Sequence, residues 1–350
     1  MSSLWHPFAN MSSISMKHWE RSGRAWLRSV PMCNPLFSAL LIVCATLASA
    51  APAATELTVM SFNMWGAGAN QHQPIDETVA VLRAVNADII GVQEARAEEV
   101  PCTGDKCGPA GASVARQLAA ALGYYFYDQT ARNEALWANA IVSRYPTVGA
   151  ATPNDTGINI DVKGRKVRVF NIHLPDSPYQ PYQLLGIGYG KTPFLRTAAA
   201  AIQAAKATRG GGLRLLFQDL AATGRADAEF VFGDFNEPSH RDWTAASVRA
   251  GLQPLPVAYP SVKALEKHGF VDLFRAAFPD PVAKPGFTWT PTSDPKAKDD
   301  HHDRIDFTLA RAPHLRVVAA GIVGEKSPEA DIVVTPWPSD HRATYAKVKF

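Results

Sequence analysis

Apolar positions fall into two rhythms that alternate along the chain. Short runs rich in β-branched and aromatic residues predict strands over 57–62, 88–92, 138–143, 158–162, 166–172, 229–232, 305–309, 315–323 and 344–349. Between them, apolar residues three and four apart predict helices over 76–85, 113–122, 196–207, 213–222 and 242–250. The glycine triplet Gly210-Gly211-Gly212 is expected to separate the third helix from the fourth. No internal repeat or long linker interrupts this alternation, and the Pro-, Lys- and Asp-rich stretch 291–303 reads as a surface loop. The pattern predicts a single mixed α/β domain over residues 51–350.

The first 50 residues follow a different rule. A basic stretch ending at Arg28 precedes an apolar run over 36–47 and then Ala48-Ser49-Ala50, a small-x-small cleavage pattern. That run is too short to span a bilayer as a helix, which takes ~20 residues. Residues 1–50 therefore read as a signal peptide cleaved near Ala50/Ala51, and the mature chain is expected to be secreted or periplasmic, without a membrane span and monomeric. Of the four cysteines, Cys33 and Cys44 lie in the removed segment. Cys102 and Cys107 flank Thr-Gly-Asp-Lys and can close a small disulfide loop in an oxidising compartment; two free thiols or half of a metal site are the alternatives. No second cysteine pair exists to complete a zinc knuckle.

Charge narrows the partners. The net charge of +3 belongs to residues 1–50, where Lys17, Arg21, Arg24 and Arg28 stand against Glu20, leaving 31 basic and 31 acidic residues in the rest. A neutral body lacks the field of a protein that grips long nucleic acid nonspecifically.

Polar residues collect where the apolar strands end. Asn63 closes the first run, Glu94 follows Ile89-Ile90-Gly91-Val92-Gln93, and His173 follows Arg168-Val169-Phe170-Asn171-Ile172. Asp234 and Asn236 follow Phe230-Val231-Phe232-Gly233, Asp306 stands in Arg304-Ile305-Asp306-Phe307, and Asp340-His341 precede the last strand. Taken singly, each has a structural reading: a turn, an exposed strand end, a hydrogen-bonded core histidine. Taken together at strand ends of an α/β sheet, they are expected to converge on one crevice.

The ordered set Ser61-Phe62-Asn63-Met64-Trp65, Gln93-Glu94, Asn171-Ile172-His173-Leu174, Gly233-Asp234-Phe235-Asn236, Arg304-Ile305-Asp306-Phe307 and Ser339-Asp340-His341-Arg342 resembles the endonuclease/exonuclease/phosphatase superfamily. The match covers essentially all of the mature chain. The resemblance implies an α/β (α+β) four-layer sandwich, two packed mixed β-sheets flanked by helices, with the site at one end. It implies Glu94 as the divalent-metal carboxylate with Asn63 beside it, and Asp340 as a neighbouring carboxylate, with Mg²⁺ or Mn²⁺ as the cofactor that hard oxygen ligands favour. His341 matches the histidine near the scissile phosphate and Asp306 the carboxylate that orients it. Asp234 and Asn236 match the pair that positions the attacking water and a phosphate oxygen, and His173 matches a further catalytic histidine. Such chemistry needs donors and a metal against developing phosphoryl charge, and a base for the water.

Other features suggest the substrate-facing surface. Tyr179, Tyr182 and Tyr189 can wall the crevice, Trp289 lies in a loop where the family often places an aromatic near substrate, and Asn139 lies near the site. Asp299-Asp300-His301-His302-Asp303 reads as a solvated loop before a second metal site, and Asp272 as the anchor of a loop. The expected function is hydrolysis of a phosphodiester or phosphomonoester, the substrate being a small organic phosphate, a nucleic acid or a phospholipid headgroup. A secreted nuclease and an inactive binding module on the same fold are the alternatives.

Overall fold

The computed structural model describes residues 54–96 and 113–350, so the segment expected to be a signal peptide and the Cys102/Cys107 pair lie outside the described residues. The described strands are β1 Glu56–Asn63, β2 Ile89–Gln93, β3 Tyr125–Asp128, β4 Ala140–Ser143, β5 Thr147–Val148, β6 Gly157–Val162, β7 Arg165–His173, β8 Ala228–Asp234, β9 Val271–Asp272, β10 Asp306–Arg311, β11 Arg316–Gly324, β12 Ile332–Val333 and β13 Ala343–Lys349. They form two sheets, ordered β12-β11-β13-β1-β2-β4-β3 and β5-β6-β7-β8-β10-β9. Both are mixed. β1 runs parallel to β2 and β7 parallel to β8, whereas β1–β13 and β8–β10 are antiparallel.

Period-two alternation assigns each strand face. In β1, Leu57 and Val59 turn toward the second sheet, where they meet Val167, Val169, Phe230 and Phe232. Met60 and Phe62 turn the other way, onto α1 (Ile75–Val85) and α2 (Ala115–Leu122) through Val79, Leu82 and Leu118. On the far side, Phe170, Ile172 and Val231 pack against α4 (Ala198–Ala222) and α6 (Pro260–Lys267). The result is the expected helix–sheet–sheet–helix order. Short helices α3 (Gln180–Leu185), α5 (Ala245–Arg249) and α7 (Leu273–Ala277) complete it. No helix among the described residues is long and apolar enough to cross a membrane.

Polar residues pin the two sheets together near one end. Gln93 Nε2 donates to Asn171 Oδ1 at 2.6 Å, and Asn171 Nδ2 reaches the carbonyls of Val92 and Ala140. Gly91 permits this approach, because a Cβ there would fall 2.7 Å from Phe232 Cβ.

One expectation is overturned. Gly210-Gly211-Gly212 does not break a helix; α4 runs through it for 25 residues. The reason is packing: a Cβ on Gly212 would sit 2.4 Å from the Glu134 carbonyl oxygen and 2.7 Å from Leu174 Cδ2. Tertiary contact, not local propensity, decides the conformation there. The helix expected over 242–250 is also shorter, starting at a Thr244 cap whose side chain accepts from Ser247 N–H. Asp242 is instead spent on the buried guanidinium groups of Arg275 and Arg304.

Candidate active site

The strand ends do converge. Asn63, His173 and Asp234 end β1, β7 and β8, and Glu94 is one residue past β2. Asp306 opens β10, which runs antiparallel to β8 so that Asp306 lies directly opposite Asp234. His341 comes two residues before β13, antiparallel to β1. Alternating strand direction thus brings late residues of four strands and early residues of two to the same edge. Gly233 lets β8 close on β7, since a Cβ there would lie 2.3 Å from the Ile172 carbonyl.

A crevice of about 500 Å³ opens at this edge, with Glu94, His173, Asp234, Asn236, Asp340 and His341 on its lining. Asp306 and Asn63 lie behind it, fully buried. His341 Nδ1 and Asp306 Oδ2 are 2.9 Å apart, which fixes the ring and leaves Nε2 3.7 Å from Asp234 Oδ2. His173 Nε2 lies 3.5 Å from the same oxygen, 3.9 Å from Glu94 Oε1 and 3.2 Å from Asn236 Nδ2. Two imidazoles therefore flank one buried carboxylate.

Burial and charge set the protonation states. Burial alone would push the His341 imidazole down, but the Asp306 and Asp234 carboxylates outweigh it and hold the ring well above the ordinary histidine range. Burial pushes the Glu94 carboxyl up to about 7, with His173 partly opposing and Asp340 adding to the shift. A carboxylate desolvated in this way is one that a cation would re-stabilise.

The donor set fits a hard divalent ion. Glu94 Oε2 is buried without a hydrogen-bond partner, and Glu94, His173 and Asp234 each place a donor atom within 4.8 Å of the others. Asn63 plays another part than the expected ligand. Its Nδ2 donates to Glu94 Oε1 at 2.8 Å and to Asp234 Oδ2 at 3.0 Å, and its oxygen accepts from Trp65 N–H. It therefore aligns the two carboxylates and presents no oxygen to the crevice. Asp340 does line the crevice.

The substrate-facing residues divide. Trp289 and Tyr189 line the crevice, whereas Tyr182 lies in a small cavity beside it. Asn139 is buried off the lining; its Oδ1 accepts from Trp137 N–H and so fixes the turn that presents Trp137. The 299–303 stretch is solvated only in part. Asp303 is 1% exposed and accepts from Tyr179 OH and Trp243 Nε1, both at 2.8 Å, while Asp300 accepts from Tyr182 OH. Burial raises Asp303 to about 8 despite those donors. The stretch is thus a scaffold for the aromatic side of the site. Asp272 caps α7 and binds Arg304 at 2.7 Å, which agrees with an anchoring role. Three lining residues carry no signal in the sequence: Glu134, Trp137 and Asp176 stand in irregular segments with neither strand nor helix periodicity.

The chain is similar to several known proteins. An uncharacterised protein of Caenorhabditis elegans is 24% identical over 326 residues, which are 90% of this chain and 98% of that protein. Among solved structures, truncated TDP2 of Caenorhabditis elegans is 17% identical, with 84% of this chain and 97% of that one covered and a TM-score of 0.43. An AP endonuclease from Archaeoglobus fulgidus is 19% identical, with 83% and 98% covered and a TM-score of 0.46. The sequence pattern of the Endonuclease/Exonuclease/phosphatase family matches residues 60–341, and the chain belongs to that family.

Proposed function

We propose that the chain is an exported phosphoesterase that hydrolyses a phosphodiester or phosphomonoester by attack of water, with Mg²⁺ or Mn²⁺ as cofactor. The observation that carries this reading is His341, locked by Asp306 and aimed at Asp234 within the crevice that also holds Glu94. Glu94 and Asp340 would hold the cation, which would offset charge on the phosphoryl oxygens and polarise the ester. His341 Nε2–H is placed to donate to a phosphoryl oxygen as its negative charge grows. Asp234, held by Asn63, is the carboxylate within reach of an attacking water, and Asn236 Nδ2 and His173 orient what binds beside it. Asp306 keeps the His341 ring in place throughout.

The test compares bis(p-nitrophenyl) phosphate, p-nitrophenyl phosphate, plasmid DNA and sphingomyelin with Mg²⁺, Mn²⁺ or EDTA. Hydrolysis of at least one should require metal and be lost in Glu94→Gln and His341→Ala variants that keep the wild-type circular dichroism. Turnover that survives EDTA, or that survives in folded His341→Ala, refutes the reading. Cleavage confined to plasmid DNA would make the chain a nuclease.

A further inference from the structure

Beside the catalytic crevice lies a smaller cavity of about 30 Å³, walled by Tyr179, Tyr182, Tyr189, Trp289 and Asp176. Asp176, Tyr189 and Trp289 line the crevice as well, so the two spaces share a wall. The rings stand edge to face: Tyr179 and Tyr182 at 5.1 Å and 87°, Tyr182 and Tyr189 at 6.0 Å and 82°, Tyr179 and Trp289 at 5.7 Å and 75°. Their hydroxyls are engaged, Tyr179 with Asp303, Tyr182 with Asp300 and Tyr189 with Asp176. Asn236 and Ile305 complete the lining, so the walls offer a ligand aromatic surface, one carboxylate and one amide.

That combination selects for positive charge, because aromatic faces attract cations through the ring quadrupole. The crevice agrees. It carries five carboxylates, Glu94, Glu134, Asp176, Asp234 and Asp340, and among the described residues no lysine or arginine lines it. Glu134 and Asp176 stand outside the groups that could hold a metal ion, so a cation bound there leaves the mouth negative. Apart from the His341 imidazole, a polyanion finds no cationic partner on this lining, whereas a positive group is drawn in. The cavity has room for about two waters. A head group larger than that must sit across the threshold that the cavity shares with the crevice, beside a phosphorus held there.

We propose that this cavity is a subsite for an ammonium group, so that the phosphoester hydrolysed carries a protonated or methylated amine on the side that enters the cavity. The proposal rests on the phosphoesterase reading and names its substrate class. Tyr189 and Asp176 form the threshold, and Asp300 and Asp303 hold the rings behind them.

Two esters of matched shape test it: p-nitrophenyl phosphocholine and p-nitrophenyl neohexyl phosphate, in which carbon replaces the charged nitrogen. In both, water attacks phosphorus and the bond to p-nitrophenolate breaks, so the assay reads the same step. With the full chain and Mg²⁺, kcat/KM should favour the choline ester by about tenfold or more. Asp176→Asn and Tyr189→Leu should each drive that ratio toward one. Equal kcat/KM for the two esters in the wild-type chain overturns the subsite and leaves the phosphoesterase reading standing. If neither ester turns over, that reading is at fault, and calorimetry then judges the subsite alone: phosphocholine binding no tighter than neohexyl phosphate overturns it. Faster turnover of glycerophosphocholine than of phosphatidylcholine vesicles assigns a free ester, and the reverse assigns a lipid headgroup.

Discussion

The three adjacent glycines of α4 should respond to alanine in different directions. Gly210 has open space where a Cβ would go, so Gly210→Ala gains only the helix propensity, about 1 kcal/mol. Gly211 would meet the carboxylate end of the exposed Glu134 side chain, which can swing aside. Gly212 is different: its Cβ would lie 2.4 Å from the Glu134 carbonyl oxygen, where ordinary contact begins at 3.4 Å. Relief requires about 1 Å of movement in the 133–136 segment, and overpacking of that kind costs about 1–3 kcal/mol against the propensity gain. Gly210→Ala should therefore raise the melting temperature by roughly 2–4 °C, and Gly212→Ala, with a net cost of up to about 2 kcal/mol, should lower it by up to about twice as much. The displaced segment also matters for catalysis, because the Ala135 carbonyl accepts from His173 N–H at 2.8 Å. A shift of that size at a catalytic group costs up to about 10²-fold in rate. Differential scanning calorimetry with a parallel kcat/KM measurement checks both. If Gly212→Ala stabilises as much as Gly210→Ala and keeps full activity, the contact with the crevice wall is not what requires glycine there.

Three further outcomes are expected. Arg304→Met leaves the buried carboxylates of Asp242 and Asp272 without the guanidinium that lies 2.9 and 2.7 Å away, and should cost about 3–5 kcal/mol in urea unfolding; an unchanged midpoint would refute the role of the network. Burial raises Glu94 from 4.5 to about 7, so the folded chain holds a proton that the unfolded chain releases, and metal-free stability should fall as pH rises through that interval. Mg²⁺ should flatten this slope and Glu94→Gln should abolish it, as read from melts with and without EDTA; a slope identical in the variant would assign it to another group. Asp306→Asn should lower kcat by about 10²–10⁴-fold and, by removing a carboxylate that raises His341, move the alkaline limb of the pH–rate profile to lower pH, with the fold intact; an unaltered profile would show that Asp306 does not govern that ring.

The sites that sequence reading found share one property: each stands at one end of an apolar run. A strand's end is visible in the pattern, and in a sandwich whose parallel strands finish where its antiparallel strands begin, ends are what meet. Asp306 facing Asp234 across β8 and β10 is the plainest case. What the pattern could not show depends on partners distant in the chain. Gly212 is glycine because of Glu134, and Asn139 serves Trp137 and not the substrate. The tyrosines face the cavity with their rings because Asp300 and Asp303, in a stretch that reads as solvated, hold their hydroxyls. The short strands β5, β9 and β12 are two residues each, too brief for any period to register.

Side-chain aim was the other hidden variable. Glu94 and Asn236, both on the crevice lining, have φ of 53° and 48°, the left-handed region that residues with a Cβ enter at a cost. For asparagine the cost is small; for glutamate it must be met by the surroundings. Gly66 N–H binds the Glu94 carbonyl at 2.9 Å and Ala95 N–H binds the Ala138 carbonyl at 2.8 Å, so the chain is held on both sides of the turn. In an extended continuation of β2, Glu94 would follow the strand's alternation; the left-handed turn redirects it into the crevice beside His173 and Asp234. An acid desolvated to a pKa near 7 at a strained backbone position has two costs in the folded chain, and a bound cation relieves the first while using the geometry that the second maintains.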